Sequence, residues 1–267
     1  MNFFNQFDKE NIIIAHRGNR NKYPENTIEA FRQAIGKSDM FEFDVQYTKD
    51  FYPVIMHDNS LLRTTNAKEI FNNKSSFNVR DFTLKEIQNL DNVSWFIKDD
   101  PFSTIKNKET DIKSLASLQK NSIATLEEIL IFMKINNFPA NLEIKNSDFF
   151  DSSEISRNIA KKVNECKVSD ICIISSFNHD CIKNIKKENP SLFTAALFEE
   201  TEPSNILNYL KDLEVCAYHI DKTLVNKNKI KLLKENNIFT NVYTINKQEE
   251  EKELFIKGVK GIFTDIL

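Results

Sequence analysis

Four short segments of the sequence carry side chains whose types and spacing suit chemistry. They contribute His16 and Arg17 after the apolar run IIIA, Glu42 and Asp44 within FEFDV, His57 at the end of PVIMH, and Glu143 and Lys145 within NLEIK. Imidazoles can exchange protons, carboxylates can bind a cation, and guanidinium and ammonium groups can bind an anion. All three abilities therefore occur at strand-like segments.

The carboxylates suggest a metal site. Glu42 and Asp44 are two positions apart on a strand, so their side chains point to the same face. Carboxylates this close repel each other unless one is protonated or a cation neutralises them. Glu143 adds a third carboxylate from another strand. Such oxygen ligands are typical of Mg²⁺ or Ca²⁺, whereas zinc more often binds His or Cys. We therefore predict that these three residues bind one divalent cation, Mg²⁺ or Ca²⁺.

The remaining groups suit a phosphate ester. Arg17 offers a bidentate donor and Lys145 a point charge, and both match an anionic phosphoryl group. Histidine titrates near neutral pH, so one of His16 and His57 can deprotonate an attacking oxygen while the other protonates the leaving oxygen. The set predicts a metal-assisted phosphodiesterase. His219, at the end of EVCAYHI, either lines the same pocket or is a hydrogen-bonded core residue.

The elements that must position these groups alternate between strands and helices. Strand-like runs fall at 12–15, 41–45, 140–145, 171–176, 192–197, 214–220, 239–245 and 261–266. Segments between them have apolar residues at helical spacing, such as Ile155, Ile159 and Val163. Eight such units suit an α/β fold, a TIM (β/α)₈ barrel of about 250 residues, although the count also fits a doubly wound open sheet. The barrel is the favoured prediction, with its chemistry at the carboxyl ends of the strands.

One region breaks the alternation. Residues 59–122 follow PVIMH without a clear βα unit and contain the only tryptophan, Trp95. A structureless loop of that length is rare within a compact domain, so we predict an insertion with its own short elements, including a helix capped by Thr83. The prediction is one domain over residues 1–267, with 59–122 inserted where a barrel would have a lid.

Composition excludes several functional classes. The net charge is −3, and 36 basic and 39 acidic residues are mixed along the chain, which argues against a nucleic-acid partner. No apolar run approaches the roughly 20 residues that span a bilayer, and the first ten residues do not resemble a signal peptide. The four cysteines form no C-x-x-C pair, which indicates neither a disulfide framework nor a zinc site. These features predict a cytoplasmic protein without an integral membrane segment.

The motifs, taken in order, resemble one family, the glycerophosphodiester phosphodiesterases. The matching pieces are AHRGNRNKYPENTIEAF, FEFDVQYTKD, VIMHDNSLLRTT, NLEIK, VYTIN and GIFTD, which extend from residue 15 to residue 265. Each piece alone is a weak signal, but the ordered combination is specific. The resemblance therefore covers nearly the whole chain.

The resemblance implies a TIM barrel with an insertion after the HD motif. It implies that His16 and His57 are the catalytic acid and base, that Glu42, Asp44 and Glu143 hold the metal, and that Arg17 and Lys145 contact the phosphate. The implied reaction hydrolyses glycerophosphodiesters, such as glycerophosphocholine or glycerophosphoethanolamine, to sn-glycerol 3-phosphate and an alcohol. Attack by the neighbouring glycerol hydroxyl, through a cyclic phosphate, and direct attack by water both stay open.

The chain departs from the family pattern at three places. Phe51 stands where the family usually has glycine after TKD, and Tyr243 stands at the usual tryptophan of the seventh-strand motif, as a candidate substrate-binding ring. The residues after HRG are bulkier than usual. None of these departures removes a catalytic group.

Two alternatives remain at this stage. A lysophospholipase D or sphingomyelinase D-like enzyme would use the same two histidines and acidic residues on the same barrel. A non-catalytic phosphate-binding protein could keep the barrel without turnover. The preferred head group, the choice between Mg²⁺ and Ca²⁺, and the oligomeric state are not predicted.

Overall fold

The protein folds as a closed barrel of parallel strands surrounded by helices. The computed structural model describes residues 2–118, 123–145 and 149–267. Its strands are β1 Ile12–Ala15, β2 Met40–Tyr47, β3 Pro53–Ile55, β4 Ala140–Ile144, β5 Cys172–Ser176, β6 Phe193–Phe198, β7 Ala217–Asp221, β8 Phe239–Tyr243 and β9 Gly261–Thr264. Among these ranges, all strands except β3 pair in parallel, and β1 joins both β2 and β9. The predicted barrel is confirmed, and the open sheet is excluded.

Helices lie between the barrel strands and around them. They are α1 Ile28–Arg32, α2 Ala67–Ile70, α3 Leu84–Ile87, α4 Ser94–Asp99, α5 Ile112–Ala116, α6 Leu126–Asn136, α7 Ser152–Cys166, α8 His179–Glu188, α9 Ile206–Asp212, α10 Lys227–Glu235 and α11 Gln248–Ile256. Short 3₁₀ turns occur at Phe3–Gln6, Val79–Asp81 and Lys222–Leu224. No helix of the described ranges has the length and apolar character needed to cross a bilayer.

Helix α7 illustrates how the sequence pattern sets the packing. Asp151 caps its start by accepting hydrogen bonds from the backbone N–H groups of Ser153 and Glu154, which satisfies donors that have no partner within the helix. Ile155, Ile159 and Val163 then recur at helical spacing and are buried on the core side. The amphipathic segments between strands therefore cover the outer face of the barrel, as the spacing predicts.

Strand β3 forms a hairpin with β2 and lies outside the parallel set. It pairs antiparallel to β2, with Val45 opposite Ile55 and Tyr47 opposite Pro53. Proline is tolerated there because β3 is the edge strand of the sheet. This hairpin reverses the chain, so that β3 runs back along β2, and the backbone N–H of Met56 donates to the carbonyl of Asp44 at 3.0 Å.

Aromatic side chains close the amino-terminal end of the barrel. Phe3 and Phe4, in the first 3₁₀ turn, are each 1% exposed. Phe3 packs edge-on against Phe193 with ring centroids 5.6 Å apart, and Phe4 packs against Phe239 at 5.7 Å. Both partners are the first residues of their strands, so this end is apolar and filled.

The segment after β3 contains short helices rather than a loop. Over 59–118 it includes α2, α3, α4 and α5, while residues 119–122 of the predicted insertion lie outside the described residues. Thr83 caps α3 in a capping box with Glu86, as predicted. The segment has a small core of its own with residues of β3, which includes Leu61, Phe82 and Ile87.

Gly18 allows the loop after β1 to lie against α1. Its φ is +81°, and a Cβ there would lie 2.7 Å from the carbonyl carbon of Ala30. Any side chain would therefore push the loop away from the helix. The close approach fixes the position of the loop, which also carries His16 and Arg17, two of the predicted site residues.

Candidate active site

A cavity of about 370 Å³ opens at the carboxyl ends of the barrel strands. The predicted residues that line it are His16, Arg17, Glu42, His57, Glu143, Lys145 and Tyr243. Asp44, the remaining predicted residue, is 1% exposed and shares the face of Glu42 on β2. Residues from distant parts of the sequence thus meet at the barrel mouth, where parallel barrels collect polar groups.

The three predicted metal ligands form one cluster. Asp44 and Glu143 are partners in the β2–β4 register, and Glu42 precedes Asp44 by two residues on the same face. One carboxylate oxygen of each residue lies within 4.8 Å of the others. Such a set of hard oxygen donors fits Mg²⁺ or Ca²⁺.

The hydrogen bonds of Glu42 with the described residues involve only one of its two carboxylate oxygens. Its Oε2 accepts the backbone N–H of Arg17 at 2.8 Å, whereas its buried Oε1 has no hydrogen-bond partner among the described residues. Burial, together with the charges of Asp44 and Glu143, raises the pKa of Glu42 well above its usual range. A buried carboxylate oxygen without a partner beside two other carboxylates is what a cation-binding site requires.

Asp44 differs from Glu42 because cations lie beside it. Burial favours its neutral form, but Arg17 and Lys145 outweigh burial and hold the pKa of Asp44 below its usual range. The Nε of Arg17 is 3.4 Å from Asp44 Oδ2, and the Nζ of Lys145 is 3.5 Å from Oδ1. Asn26 also donates from Nδ2 to Oδ2 at 2.8 Å. Asp44 is therefore ionised.

Arg17 and Lys145 thus contact carboxylates in this structure. Lys145 donates from Nζ to Glu143 Oε1 at 2.7 Å, and Arg17 donates from a terminal nitrogen to Glu25 Oε1 at 3.0 Å. Arg17 Nε makes no hydrogen bond with the described residues. Both cations line the cavity, so they can reach an anion bound there while remaining held by carboxylates.

His16 is oriented by an aspartate from the other end of the chain. Its Nδ1 lies 2.7 Å from Asp265 Oδ1, and because a carboxylate only accepts, Nδ1 carries the proton and Nε2 keeps its lone pair. Asn246 donates to Asp265 Oδ2 at 2.8 Å. Burial and the charge of Arg17 lower the pKa of His16 despite the aspartate. His16 is therefore a neutral imidazole whose Nε2 can accept a proton.

His57 has the same kind of partner, supplied by its neighbour in the sequence. Its Nδ1 lies 2.7 Å from Asp58 Oδ1, and Arg63 donates from Nε to Asp58 Oδ2 at 2.6 Å. Burial favours neutral Asp58, but its hydrogen bonds with His57 and Arg63 keep its pKa below the usual range. This pair follows the β2–β3 hairpin, whereas the other pair joins β1 to the segment after β9.

Tyr243 presents its ring rather than its hydroxyl to the cavity. The hydroxyl donates to the backbone carbonyl of Phe198 at 2.7 Å, and the ring meets Phe177 edge-on at 6.2 Å. Burial raises the pKa of Tyr243, which keeps the hydroxyl protonated. The two rings form an apolar wall of the cavity.

His219 belongs to the barrel interior. It is fully buried, and neither of its ring nitrogens has a hydrogen-bond partner among the described residues. Burial lowers its pKa to about 3, so the ring is neutral. It packs edge-on against Phe263 at 5.1 Å, and Phe263 in turn lines the cavity. Neither of the two sequence interpretations of His219 therefore describes it.

Sequence reasoning missed the residues that hold the predicted ones in place. Asp58, Asp265 and Asn246 orient the two histidines or their partners, and Glu25 and Asn26 hold Arg17 and Asp44. All five lie within the motifs that carry the family resemblance, in HDNSLL, GIFTD, VYTIN and PENT. The motifs therefore contained the signal, but one-dimensional spacing does not show which residue faces which.

Comparison with known proteins gives a consistent result. Residues 16–267 match the model of the glycerophosphoryl diester phosphodiesterase family. A glycerophosphodiester phosphodiesterase of Caldanaerobacter subterraneus subsp. tengcongensis is 30% identical over 259 residues, which cover 95% of this chain and 93% of that protein. A relative of the same description from Bacillus altitudinis is 30% identical over 257 residues, with coverages of 95% and 94%.

Solved structures share the fold. A protein of Silicibacter pomeroyi DSS-3 superposes with a TM-score of 0.83 at 20% identity, over 100% of this chain and 95% of that chain. A phosphodiesterase of Oleispira antarctica, solved in complex with the product sn-glycerol-3-phosphate, has a TM-score of 0.78 at 24% identity, with coverages of 95% and 92%. At these identities the likeness establishes the barrel architecture alone.

Proposed function

Because the chain belongs to the glycerophosphoryl diester phosphodiesterase family, we propose that it hydrolyses glycerophosphodiesters to sn-glycerol 3-phosphate and an alcohol. One observation carries the proposal: two imidazoles, each hydrogen-bonded through Nδ1 to an aspartate, line the cavity that contains the acidic cluster. Glycerophosphocholine and glycerophosphoethanolamine are the expected substrates. The product bound to the Oleispira antarctica enzyme supports the same chemistry.

In this proposal His16 is the general base. Its lowered pKa leaves the ring neutral at pH 7, and Asp265 holds the proton on Nδ1, so Nε2 can accept a proton from the attacking oxygen. Asp265 also stabilises the imidazolium that forms. The attacking oxygen belongs either to water or to the neighbouring glycerol hydroxyl, and a cyclic phosphate detected by ³¹P NMR during turnover would identify the second case.

His57 is the general acid. Asp58 orients its ring through Nδ1, and His57 lines the cavity. His57 gives the proton on its Nε2 to the leaving alcohol oxygen, and His16 takes the proton of the attacking oxygen. The two histidines then exchange protons with water and return to their starting states.

The acidic cluster fits a divalent cation, and we propose that Glu42, Asp44 and Glu143 bind one Mg²⁺ or Ca²⁺. Two features of Glu42 support this assignment: its Oε1 has no hydrogen-bond partner among the described residues, and its pKa is raised. When bound, such a cation supplies positive charge to the phosphoryl oxygens. Arg17 and Lys145 add donors for the same oxygens, and the ring of Tyr243 borders the substrate.

We also propose that residues 1–267 form a single catalytic domain in which 59–122 is an insertion, and that the protein is cytoplasmic. The small core shared between β3 and the inserted helices supports the first point, and the free cysteines of the described ranges support the second. Two separate calorimetric unfolding transitions would contradict the single domain. Recovery of the protein outside the cytoplasm after cell fractionation would contradict the location.

The experiment that tests the function is a substrate panel. Alcohol release is measured from glycerophosphocholine, glycerophosphoethanolamine and lysophosphatidylcholine with Mg²⁺, with Ca²⁺ and with EDTA. We expect turnover of the deacylated diesters with at least one metal, and a loss of about 10³-fold or more in EDTA. Turnover of the acylated substrate alone would instead indicate a lysophospholipase D. Binding without turnover of any diester would indicate a non-catalytic phosphate-binding protein.

A further inference from the structure

A single buried glutamate holds three arginines at the edge of the cavity. Glu25 has a side chain that is 3% exposed. Its two oxygens accept hydrogen bonds from Arg17 at 3.0 Å, Arg20 at 2.7 Å, and both terminal nitrogens of Arg63 at 2.6 and 3.1 Å. We refer to Glu25, Arg17, Arg20 and Arg63 as the Glu25 cluster. Its compactness fixes the positions of three long side chains at once.

Two of these arginines lead from Glu25 to the histidine partners. Arg20 donates to Asp265 Oδ1 at 3.1 Å, the same oxygen that faces His16. Arg63 binds both oxygens of Asp58, at 2.6 and 2.9 Å. A continuous set of charge-assisted hydrogen bonds therefore joins Glu25 to both imidazoles, although Glu25 contacts neither.

The charges of this network balance. The three carboxylates of Glu25, Asp58 and Asp265 face the three guanidinium groups of the Glu25 cluster. Because the groups are partly or fully buried, removal of one carboxylate would leave an uncompensated positive charge beside the site. Neutralising Glu25 should therefore affect both histidine pairs, not only the nearest one.

Aromatic rings of the inserted segment cover the same two arginines. The guanidinium of Arg63 lies over the Trp95 ring, 5.7 Å from its centroid, and that of Arg20 lies over the Phe102 ring at 5.6 Å. Thr104 donates from its hydroxyl to the backbone carbonyl of Asn21 at 2.9 Å, which fastens the segment to the loop that carries Arg20. Each ring adds a cation–π contact to one branch of the network.

We infer that Glu25 is a positioning residue that holds both histidine–aspartate pairs through Arg20 and Arg63, and that Trp95 and Phe102 of the insertion complete this network. This inference rests on the proposed function, because it assigns the two pairs to catalysis. It gives the insertion a role in orienting the acid and the base.

The test is Glu25→Gln, which keeps the shape and removes the charge. We expect kcat to fall about 10- to 100-fold, as for other residues that orient catalytic groups, with a change in KM of less than about threefold. Without the charge of Glu25, the positive charges of Arg17 and Arg20 should lower the pKa of His16 further. The acid limb of the kcat/KM profile should therefore move to lower pH. Glu25→Asp, which retains the charge, should restore part of kcat.

A second readout does not depend on activity. Trp95 is the only tryptophan in the chain, so its fluorescence reports on Arg63. Glu25→Gln should change its emission and lifetime, because Arg63 loses a charged acceptor. The matched control is Glu29→Gln, which removes a carboxylate that also pairs with an arginine, Arg32, outside the cavity. The control should keep the wild-type kcat, pH profile and fluorescence.

The possible results separate the two hypotheses. If the wild-type protein hydrolyses no glycerophosphodiester, the proposed function fails, and Trp95 emission together with the NMR titration of the His16 ring decides the inference alone. If Glu25→Gln has the wild-type kcat, pH profile and emission, the inference is wrong. If that variant does not fold, Arg20→Lys and Arg63→Lys decide: a loss of kcat in both supports the network, and unchanged kcat in both overturns it.

Discussion

The two histidine–aspartate pairs use the same hydrogen bond but are built in opposite ways. The partner of His16 is 249 residues away in the sequence, whereas the partner of His57 is the next residue. The His16 pair is held by barrel closure. The backbone N–H of His16 donates to the backbone carbonyl of Thr264, the residue before Asp265, at 3.0 Å. The His57 pair follows an edge hairpin and depends on Arg63 for its orientation. The proposed base is therefore held by barrel closure as well as by Arg20 of the Glu25 cluster, whereas the proposed acid relies on Arg63 of that cluster.

The two histidine side chains also differ in their exposure to solvent. The side chain of His16 is 16% exposed and that of His57 is 30% exposed. A proton acceptor benefits from a buried, neutral ring, whereas a proton donor to a departing alcohol must lie where that alcohol can leave. One fold thus holds two chemically similar pairs that differ in how they are held and in their access to water.

The largest expected effect comes from removing each imidazole in turn. His16→Ala and His57→Ala should each lower kcat by roughly 10³-fold on glycerophosphocholine, within the range of general acid–base catalysis. With a glycerophosphodiester of p-nitrophenol, whose leaving oxygen needs no proton, His57→Ala should recover at least tenfold while His16→Ala should not. Steady-state kinetics on both substrates measure the difference. Recovery in His16→Ala instead would reverse the two roles.

The aspartates should rank below the histidines and differ from each other. Asp265→Asn should lower kcat about 10²-fold, because an amide can hold the wrong tautomer of His16, and Asp58→Asn about tenfold, because Arg63 still restrains that loop. Asp265 raises the pKa of His16, so its loss should lower that pKa further. The neutral form of His16 then persists to lower pH, and the acid limb of the kcat/KM profile moves to lower pH. An acid limb that moves to higher pH in Asp265→Asn would contradict this arrangement.

Most of the fold and of the chemical groups could be predicted from the sequence. Strand runs and helical spacing gave the barrel, because parallel strands covered by amphipathic helices have a regular periodicity. Glu42 and Glu143 could be identified because charged residues are unusual in buried strands, and His16 because it directly follows the apolar run of β1. The Asp265–His16 contact could not, since it follows from closing β1 against β9, and no local pattern encodes that closure. The Glu25 cluster escaped for the same reason, because Arg63 reaches it from the segment after β3, whereas Glu25 and the other two arginines lie in the loop after β1.

Stability in acid should reveal the residue that both pairs share. Burial opposes ionisation of Glu25, but Arg63, Arg17 and Arg20 lower its pKa to about 2 from 4.5. A lowered pKa stabilises the fold at a pH above 4.5, and this contribution is lost as the pH falls from 4.5 towards 2. It amounts to about 3 kcal/mol of unfolding free energy. Urea unfolding at several pH values should show a shallower decline over this window for Glu25→Gln than for the wild type, and equal slopes would contradict the assignment.

The smallest expected effect concerns the hairpin turn that precedes His57. Phe51 stands where the family usually has glycine, and its φ of +61° explains that preference. Its ring stacks on Tyr47 at 4.6 Å and meets Phe150 edge-on at 5.0 Å, which offsets the strain of a left-handed conformation. Phe51→Gly should therefore lower the unfolding free energy by only about 1 kcal/mol, because ring burial worth about 2 kcal/mol is exchanged for relief of about 1 kcal/mol of strain.

Phe51→Ala is the matched control for that turn. It loses the ring and keeps the Cβ strain, so it should be about 1 kcal/mol less stable than Phe51→Gly, and urea unfolding of both variants measures the difference. Neither variant should change kcat by more than about twofold, since Arg63 and Asp58, rather than the turn, orient His57. A larger fall in kcat for both variants would show that the hairpin also positions the proposed acid. The contrast between a pair held by barrel closure and a pair held by Arg63 would then have to include the turn itself.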